Sequence, residues 1–345
     1  MKRVLVLGGG GFIGRNIVKS LVERCDCIVT AADIRSDHDL DEILNDVNKS
    51  SRLKLVINDF TKKSAFQELD DTYDEIYMLA ALVGVNKTLN HPEEVIRINT
   101  CLTMNTLNFV ANNPVKKILF ASSSENYAGT SDLYDIDIPT SEDVPLCISD
   151  IFHPRWTYAI TKMHGESSFI HSSRAYNYEC TVVRYQNIIG PNMGFGHAIP
   201  HIVERFKKAN NDDSFKIYGH DQTRAFCYID DAVDGTIKAM ENENANGQIY
   251  HIGNNQEITM RELTTYIGTI LKYEGVYENA VTYPGSVSRR CPDISKAIDE
   301  INYKPIFDWK DSVIKTVNWY NEFFQSGGIP SSGGFIPPEL VLKNK

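Results

Sequence analysis

Four consecutive glycines directly after a short apolar segment constrain this chain more than any other feature of its sequence. Residues 4–7 (Val-Leu-Val-Leu) suit a buried strand of a parallel sheet, and apolar residues at helical spacing follow the glycines. Gly8, Gly11 and Gly14 therefore lie in a turn from a strand into a helix. Because glycine has no Cβ, such a turn is tight and lets a phosphate approach the backbone amides at the start of the helix.

An acidic residue downstream makes this turn a predicted dinucleotide site. Asp33 ends the second predicted strand, about 20 residues beyond the turn, where a carboxylate binds the ribose hydroxyls of adenosine and repels a 2′-phosphate. NAD is therefore predicted over NADP, although Arg35 could bind a 2′-phosphate and keeps NADP open. The residues predicted to contact NAD are Gly8, Gly11, Phe12, Ile13, Gly14, Asp33, Asp59, Phe60, Leu79, Ala80, Ala81, Tyr158 and Lys162.

Strand and helix patterns alternate through the first half of the chain. Short apolar segments predict six strands, at residues 4–7, 27–32, 53–57, 75–79, 117–121 and 180–185. The longest helices are predicted at residues 91–112, with a proline in the first turn, and at 158–176. This alternation predicts an α/β fold, a Rossmann-type doubly wound parallel sheet with a smaller C-terminal α/β substrate-binding lobe.

The regular alternation ends near Gly190 and Pro191, which indicates a second unit of the chain. We predict an NAD-binding Rossmann domain over residues 1–189 and a partly interleaved substrate-binding lobe over residues 190–325. Residues 326–345 are rich in Gly, Ser and Pro and are predicted to form a flexible tail.

The charge balance, the cysteines and the short apolar runs argue against three classes of partner or site for this chain: nucleic acid, metal ions and membranes. A total of 35 Lys and Arg against 45 Asp and Glu gives a net charge of −10, which disfavours nucleic acid as the main partner. The seven cysteines are scattered, without a pair of Cys-x-x-Cys motifs, so we expect reduced thiols, no metal site and a cytoplasmic location. No apolar run reaches the ~18 residues of a membrane span, so no membrane partner is expected.

A second motif, Tyr158-Ala-Ile-Thr-Lys162, carries the predicted catalytic chemistry. Residues four apart share one face of a helix, so the Lys162 ammonium can lie beside the Tyr158 phenol. A neighbouring cation favours the phenolate and lowers the phenol pKa from about 10. Tyr158 would then be a base that removes a hydroxyl proton while a hydride leaves the same carbon. The motif is common by chance, but the glycine turn and the serines at 122–124 support this interpretation.

With these motifs the chain resembles the extended short-chain dehydrogenase/reductases, specifically the NAD-dependent nucleotide-sugar epimerase/dehydratase family, over nearly its whole length. The resemblance implies that Ser123 completes a Ser-Tyr-Lys triad with Tyr158 and Lys162. It also implies a nucleotide-diphosphate sugar as substrate, bound NAD that is reduced and reoxidised within one turnover, and a homodimer. Three later segments, residues 184–191, 222–226 and 290–293, resemble those with which the family binds the substrate's phosphates, through Asn187, Arg224 and Arg290.

The sequence leaves open the reaction that follows oxidation at C4 of the sugar. A 4-keto group acidifies the protons at C3 and C5, and Glu125, just after Ser123, is placed to act as a base there. Ser124, which forms a Ser-Glu pair with it, is predicted as a further catalytic residue. A carboxylate that only caps the following turn is the alternative for Glu125. A UDP-glucuronate decarboxylase-like reaction, which residues 154–158 (Pro-Arg-Trp-Thr-Tyr) resemble, a simple 4-epimerase and a net 4-dehydrogenase also stay open. A non-catalytic NAD-binding protein would not need the intact triad.

Overall fold

The computed structural model describes residues 1–34, 38–46, 49, 51–210, 214–282 and 286–329 of the 345-residue chain. In chain order, the strands of these residues are β1 (Lys2–Leu7), β2 (Cys27–Asp33), β3 (Leu53–Ile57), β4 (Tyr73–Met78), β5 (Val115–Ser123), β6 (Glu179–Tyr185), β7 (Ile188–Ile189), β8 (Phe215–Tyr218), β9 (Thr223–Ala225), β10 (Cys227–Tyr228), β11 (Ile249–Ile252), β12 (Glu257–Thr259), β13 (Tyr277–Ala280) and β14 (Arg289–Arg290).

The α-helices of the same residues are α1 (Phe12–Arg24), α2 (His38–Asn45), α3 (Val85–Asn90), α4 (Pro92–Val110), α5 (Ala128–Leu133), α6 (Trp156–Tyr176), α7 (Ala198–Lys208), α8 (Ile229–Glu241), α9 (Met260–Ile270), α10 (Ser295–Ile301) and α11 (Trp309–Gln325). Short 3-10 helices cover Lys63–Glu68, Ser124–Tyr127 and Glu243–Ala245. Across the described part of the chain, no helix has both the length and the apolar character that a bilayer span requires.

Seven parallel strands form the central sheet, in the spatial order β11-β6-β5-β4-β1-β2-β3. Its strands are mostly buried on both faces, because α1, α8 and α10 cover one face and α4 and α6 cover the other. The strand order reverses between β1 and β4. In doubly wound sheets such a reversal opens a crevice at the carboxyl ends of the strands, where ligands bind.

Helices α7, α9 and α11 enclose a separate apolar core in the later part of the chain. Two small sheets lie there, β8 with β13 and β12-β9-β14. The three-stranded sheet matters for the site, because β9 and β14 carry two arginines that the sequence analysis singled out. The polar rim of this lobe thus reaches the carboxyl edge of the central sheet.

The predicted fold class is confirmed, and all six predicted strands are present with ends shifted by at most two residues. The seventh strand, β11, was not predicted from the sequence, and it belongs to the residues assigned to the second lobe. This strand is only four residues long and includes a buried histidine, so it gives little apolar signal. The division at residue 189 stays a prediction. Arg35 and residues 330–345 of the predicted tail lie outside the described residues.

Candidate active site

The glycine turn joins β1 to α1 and brings backbone segments into close contact. Gly8 has a φ of +89°, and a Cβ on it would lie 2.7 Å from the backbone nitrogen of Ala80, just after β4. A Cβ on Gly14 would lie 2.0 Å from the Gly8 carbonyl oxygen. Neither position has room for a side chain. Helix α1 therefore begins directly against the strand end, at the edge of the crevice.

Asp33 ends β2 beside this turn and fixes it. Its Oδ2 accepts the backbone N–H of Gly10 at 3.0 Å. Five further residues predicted to contact the cofactor lie at the same edge of the sheet, after β4 or at the start of α1. They are half-buried rather than enclosed: Leu79, Ala80, Ala81, Phe12 and Ile13. These positions border one crevice.

This crevice fits NAD. Its glycine cradle has no space for side chains, the amides at the start of α1 suit a pyrophosphate, and the Asp33 carboxylate suits the adenosine ribose. When bound there, NAD supplies redox chemistry by taking a hydride from the substrate and giving it back.

Asp59 and Phe60, predicted to lie near the adenine, both make structural contacts. The Asp59 carboxylate accepts the Thr61 hydroxyl at 2.6 Å and the Thr61 backbone N–H at 3.1 Å, which lowers the pKa of this carboxyl. The Phe60 ring is buried against Phe66, with ring centroids 5.2 Å apart. Their roles as cofactor contacts stay predictions.

Ser123, Tyr158 and Lys162 meet at the carboxyl end of β5. Ser123 is the last residue of β5, and its side chain hydrogen-bonds to the Tyr158 phenol on α6. Lys162, one turn further along α6, donates from Nζ to the Ala121 carbonyl oxygen at 2.7 Å. The same Nζ lies 5.7 Å from the centroid of the Tyr158 ring. The structure thus brings together the three residues of the predicted triad.

The pKa values in this triad differ from the sequence-based expectation. Burial raises the pKa of Tyr158, and the hydrogen bond with Ser123 opposes this shift only in part. Burial lowers the pKa of Lys162 to about 8, and the Glu166 carboxylate opposes that shift. The expected lowering of the Tyr158 pKa by Lys162 is therefore wrong, because desolvation dominates and the ammonium bonds to the Ala121 carbonyl instead.

Glu125 lies between two guanidinium groups in the 3-10 helix Ser124–Tyr127. Its Oε1 accepts Arg290 Nη1 at 2.6 Å, and its Oε2 accepts Arg155 Nη2 at 3.3 Å. Burial raises the pKa of Glu125, but the charges of Arg290 and Arg155 outweigh burial and lower it to about 2. Glu125 is therefore ionised at neutral pH. No role was predicted for Arg155 from the sequence, although its position three residues before Tyr158 places both on one helical face.

Strand pairing places two of the predicted substrate-binding residues side by side. Strand β14 runs parallel to β9, with Arg290 opposite Arg224. Burial, followed by the charge of Arg290, lowers the pKa of Arg224 to about 10. We call Arg155, Arg224, Arg290 and Glu125 the arginine cluster. With three guanidinium groups and one carboxylate, this cluster has a surplus of positive charge that suits an anionic ligand.

Ser124 and Asn187 support the cluster from either side. Ser124 is buried, with Oγ 3.5 Å from Arg290 Nη1. Asn187 has a φ of +41° and donates from Nδ2 to the Ala225 carbonyl oxygen at 3.0 Å, which ties the end of β9 to the loop after β6. Their predicted catalytic and phosphate-binding roles stay predictions.

A buried ion pair behind the site was not found from the sequence. Glu166, one turn after Lys162 on α6, accepts Arg184 Nη2 at 2.7 Å, and both side chains are buried. Glu166 also accepts the Ser122 hydroxyl at 2.5 Å and Asn126 Nδ2 at 2.8 Å. Ser122 lies near the end of β5 and Asn126 in the following 3-10 helix, so the network holds the segment with Ser123 and Glu125 against α6. The four-residue spacing between Lys162 and Glu166 predicts that both side chains lie on one face of the helix, but it does not predict that Glu166 is buried.

A doubly wound sheet with a dinucleotide crevice and a Ser-Tyr-Lys triad defines the class of NAD-dependent enzymes that oxidise and reduce hydroxyl and carbonyl groups. The model of the NAD dependent epimerase/dehydratase family matches residues 4–253, and the chain belongs to this family. The predicted family, the predicted enzyme class and NAD as the cofactor are thereby confirmed.

Curated relatives match over almost their whole length. UDP-N-acetyl-alpha-D-glucosaminuronate decarboxylase of Bacillus cytotoxicus is 30% identical over 333 residues, which cover 93% of this chain and 98% of the relative. UDP-glucuronate 4-epimerase of Thermodesulfobacterium geofontis is 27% identical over 325 residues, which cover 92% of this chain and 96% of the relative. The chain is therefore similar to enzymes of more than one subclass.

Solved structures share the fold. UDP-glucuronic acid 4-epimerase from Bacillus cereus, crystallised with UDP-glucuronic acid and NAD, superposes with a TM-score of 0.78 at 22% identity and covers 93% of this chain and 99% of its own. A DesIV double mutant (dTDP-glucose 4,6-dehydratase) from Streptomyces venezuelae has a TM-score of 0.79 at 23% identity, with coverage of 93% and 97%. At these identities the likeness establishes the fold alone.

Proposed function

We propose that this chain is a nucleotide-diphosphate-hexuronate decarboxylase. Oxidation of the C4 hydroxyl turns the substrate into a β-keto acid, with the C6 carboxylate attached to C5. The C5–C6 bond then breaks, CO2 leaves, and the electron pair of that bond passes into the C4 carbonyl as an enolate. The enolate takes up a proton from solvent at C5, and return of the hydride to C4, with return of the proton held by Tyr158 to the C4 oxygen, gives a nucleotide-diphosphate pentose.

In this reaction the triad removes the proton from the C4 hydroxyl and later returns it. Tyr158 takes the proton of the C4 hydroxyl and later returns it, and the hydrogen bond from Ser123 orients the phenol. Burial raises the pKa of Tyr158, so the phenolate forms only during the step, and the Lys162 ammonium, 5.7 Å from the centroid of the Tyr158 ring, offsets part of the cost of its negative charge. Lys162 is held in place by the Ala121 carbonyl.

The arginine cluster is the observation that carries this proposal. Its three guanidinium groups and one carboxylate leave a net positive charge beside the Tyr158 phenol, and burial together with the charge of Arg290 lowers the pKa of Arg224 to about 10. The diphosphate of a nucleotide sugar balances the net charge of +2, and a sugar carboxylate would find a further donor in Arg155 Nη1, which is buried and has no hydrogen-bond partner among the described residues. The 30% identity to a decarboxylase of an acidic nucleotide sugar supports the same substrate class.

The charge state of Glu125 favours decarboxylation over elimination or C5 epimerisation. Elimination requires an acid that protonates the leaving hydroxyl, and Glu125, with a pKa of about 2, holds no proton at neutral pH. Epimerisation at C5 requires a base, and a carboxylate paired with two guanidiniums is a weak one. Breaking the C5–C6 bond in decarboxylation requires neither that acid nor that base. The predicted role of Glu125 as a base stays a prediction, conditional on at least one arginine moving away.

Product analysis tests the proposal. The holoenzyme is incubated separately with UDP-glucuronate, UDP-N-acetylglucosaminuronate and neutral UDP-glucose, and products are followed by mass spectrometry and proton NMR. We expect at least one acidic sugar to lose the mass of CO2 and to give a pentose, while UDP-glucose is unchanged. The Tyr158→Phe variant is the control for adventitious decarboxylation and should give no product.

Two outcomes would contradict the proposal. A product of unchanged mass with an inverted C4 centre would make the chain a 4-epimerase. Conversion of UDP-glucose with no conversion of either uronate would exclude an acidic substrate and would remove the argument from the arginine cluster.

We also propose that the chain is a cytoplasmic homodimer. Ile96 and Met104 lie eight residues apart on α4, so they share one face of that helix, and both are more than 40% exposed. A second copy packing on this face would cover them. We expect the double variant Ile96→Lys, Met104→Lys to sediment as a monomer and the unaltered chain as a dimer; a monomeric unaltered chain would contradict the proposal.

A further inference from the structure

Arg155 stands out because one end of its guanidinium is buried without a partner. Arg155 is the N-cap residue of α6; its guanidinium lies over the Trp156 ring, 4.9 Å from the centroid, and its side chain is only 16% exposed. Its Nη2 bonds to Glu125, but Nη1 is buried and, within the described residues, has no hydrogen-bond partner. A buried charged donor of this kind is unfavourable in the folded protein unless a ligand completes its bonding.

Arg155 lies close to Tyr158, the residue proposed to act on the C4 oxygen of the substrate. Arg155 precedes Tyr158 by three residues, so the two side chains project from the same face of α6. Glu125, which binds Arg155, also donates its backbone N–H to Ser123 Oγ at 3.2 Å, and Ser123 in turn bonds to the Tyr158 phenol. Arg155 and Arg290 both reach Glu125, but Arg155 extends from the N-terminal end of the helix that carries Tyr158, whereas Arg290 and Arg224 extend from the sheet of the second lobe.

We propose that Arg155 is the residue that selects an acidic sugar, with Nη1 binding the C6 carboxylate of the substrate while Nη2 stays on Glu125. This inference rests on the proposed function, since it assumes a hexuronate. The two arginines on β9 and β14 are then left for the diphosphate. The planar guanidinium suits this task, because it can bind one carboxylate at each end in fixed geometry.

Binding measurements on a non-reacting holoenzyme test this assignment. In NAD-loaded Tyr158→Phe protein, dissociation constants for UDP-glucuronate, UDP-N-acetylglucosaminuronate and UDP-glucose are measured by calorimetry, with and without Arg155→Gln. We expect Arg155→Gln to weaken binding of the preferred acidic sugar roughly 10- to 100-fold, the value of a charge-assisted hydrogen bond. UDP-glucose should bind within about twofold of the parent, because it lacks the carboxylate.

Two further variants serve as controls. Arg155→Lys keeps the charge without the fork and should restore part of the preference for the acidic sugar, and it is the variant to use should Arg155→Gln unfold. Arg174→Gln removes an exposed charge from the last turn of the same helix and should leave every dissociation constant unchanged.

The possible results separate this inference from the proposed function. If the parent prefers an acidic sugar and Arg155→Gln retains the preference, or weakens acidic and neutral ligands equally, the role of Arg155 is refuted and the substrate class stands. If the parent shows no preference for an acidic sugar, the proposed function fails, and the inference fails with it.

Discussion

Replacing Gly14 with alanine tests the structural basis of the cofactor crevice. The added Cβ would lie 2.0 Å from the Gly8 carbonyl oxygen, 2.9 Å from the Gly8 carbonyl carbon and 3.1 Å from the Gly9 Cα. All three neighbours are backbone atoms, so no side chain can rotate away. Either α1 or the glycine turn must therefore move by more than about 1 Å to restore normal van der Waals separations.

The expected magnitude follows from two opposing effects. Overpacking of a close contact costs about 1–3 kcal/mol of folding free energy. Alanine returns up to ~1 kcal/mol, because its helix propensity exceeds that of glycine. We expect Gly14→Ala to lower the free energy of unfolding by about 1–2 kcal/mol. NAD affinity should fall by roughly tenfold or more, since the displaced amides are those that would meet the pyrophosphate.

Two other glycines give matched controls. A Cβ on Gly11 would meet only the Gly8 carbonyl oxygen, at 3.2 Å, so Gly11→Ala should show a smaller loss. A Cβ on Gly196 would have nothing within 4 Å, so Gly196→Ala should be neutral or stabilise by up to about 1 kcal/mol. Urea unfolding gives the stabilities, and calorimetric titration gives the NAD affinities. Wild-type NAD affinity and stability in Gly14→Ala would refute the argument.

Three further predictions concern the catalytic groups. Tyr158→Phe should fold and bind NAD normally, but its kcat should fall by a factor of about 10²–10⁴. A near-normal kcat would overturn the role of Tyr158 at C4. The pKa of Lys162 is lowered to about 8, so turnover should fall above pH 8 as the ammonium loses its proton. The free energy of unfolding should rise with pH from 8 toward 10.5, because only the unfolded chain holds that proton in this range. Turnover constant from pH 7 to 9.5, or the same rise in stability in Lys162→Met, would contradict this assignment. The pKa of Glu125 is lowered from its ordinary 4.5 to about 2, so the ionised carboxylate stabilises the folded protein above pH 4.5. This contribution to the free energy of unfolding is lost as the pH falls toward 2. The stability advantage over Glu125→Gln, followed by unfolding at each pH, should shrink across that window, and a constant difference would exclude the ion pairs.

Local sequence patterns were enough to predict the cofactor crevice and the triad. The glycine turn, Asp33 and the Tyr158–Lys162 pair each depend on residues close in sequence, and the strand-helix alternation sets where they meet. The end of β5 brings Ser123 to Tyr158 because the carboxyl ends of parallel strands share one edge of the sheet. Such features follow from the backbone alone.

Charge states and long-range pairings could not be predicted in the same way. The sequence places Lys162 beside Tyr158, but not the degree of burial that raises the pKa of the phenol. Glu125 looked like a free base, because its partner Arg290 is far away in sequence and reaches it only through the pairing of β14 with β9. Strand β11 was missed for a related reason, since its place beside β6 depends on a return of the chain from the second lobe.

The same long-range pairings decide the chemistry that the site supports. A Glu125 free of arginines would be a base able to remove a proton next to the 4-keto group, as in an epimerising or dehydrating enzyme. Held between Arg155 and Arg290, it instead fixes two cations in the arginine cluster. A fixed positive charge there favours a substrate that brings its own carboxylate, and such a substrate, once oxidised at C4, already contains its leaving group. In the proposed decarboxylation, breakage of the C–C bond would then depend on where Arg155 holds that carboxylate, while Tyr158 still serves as base and acid at C4.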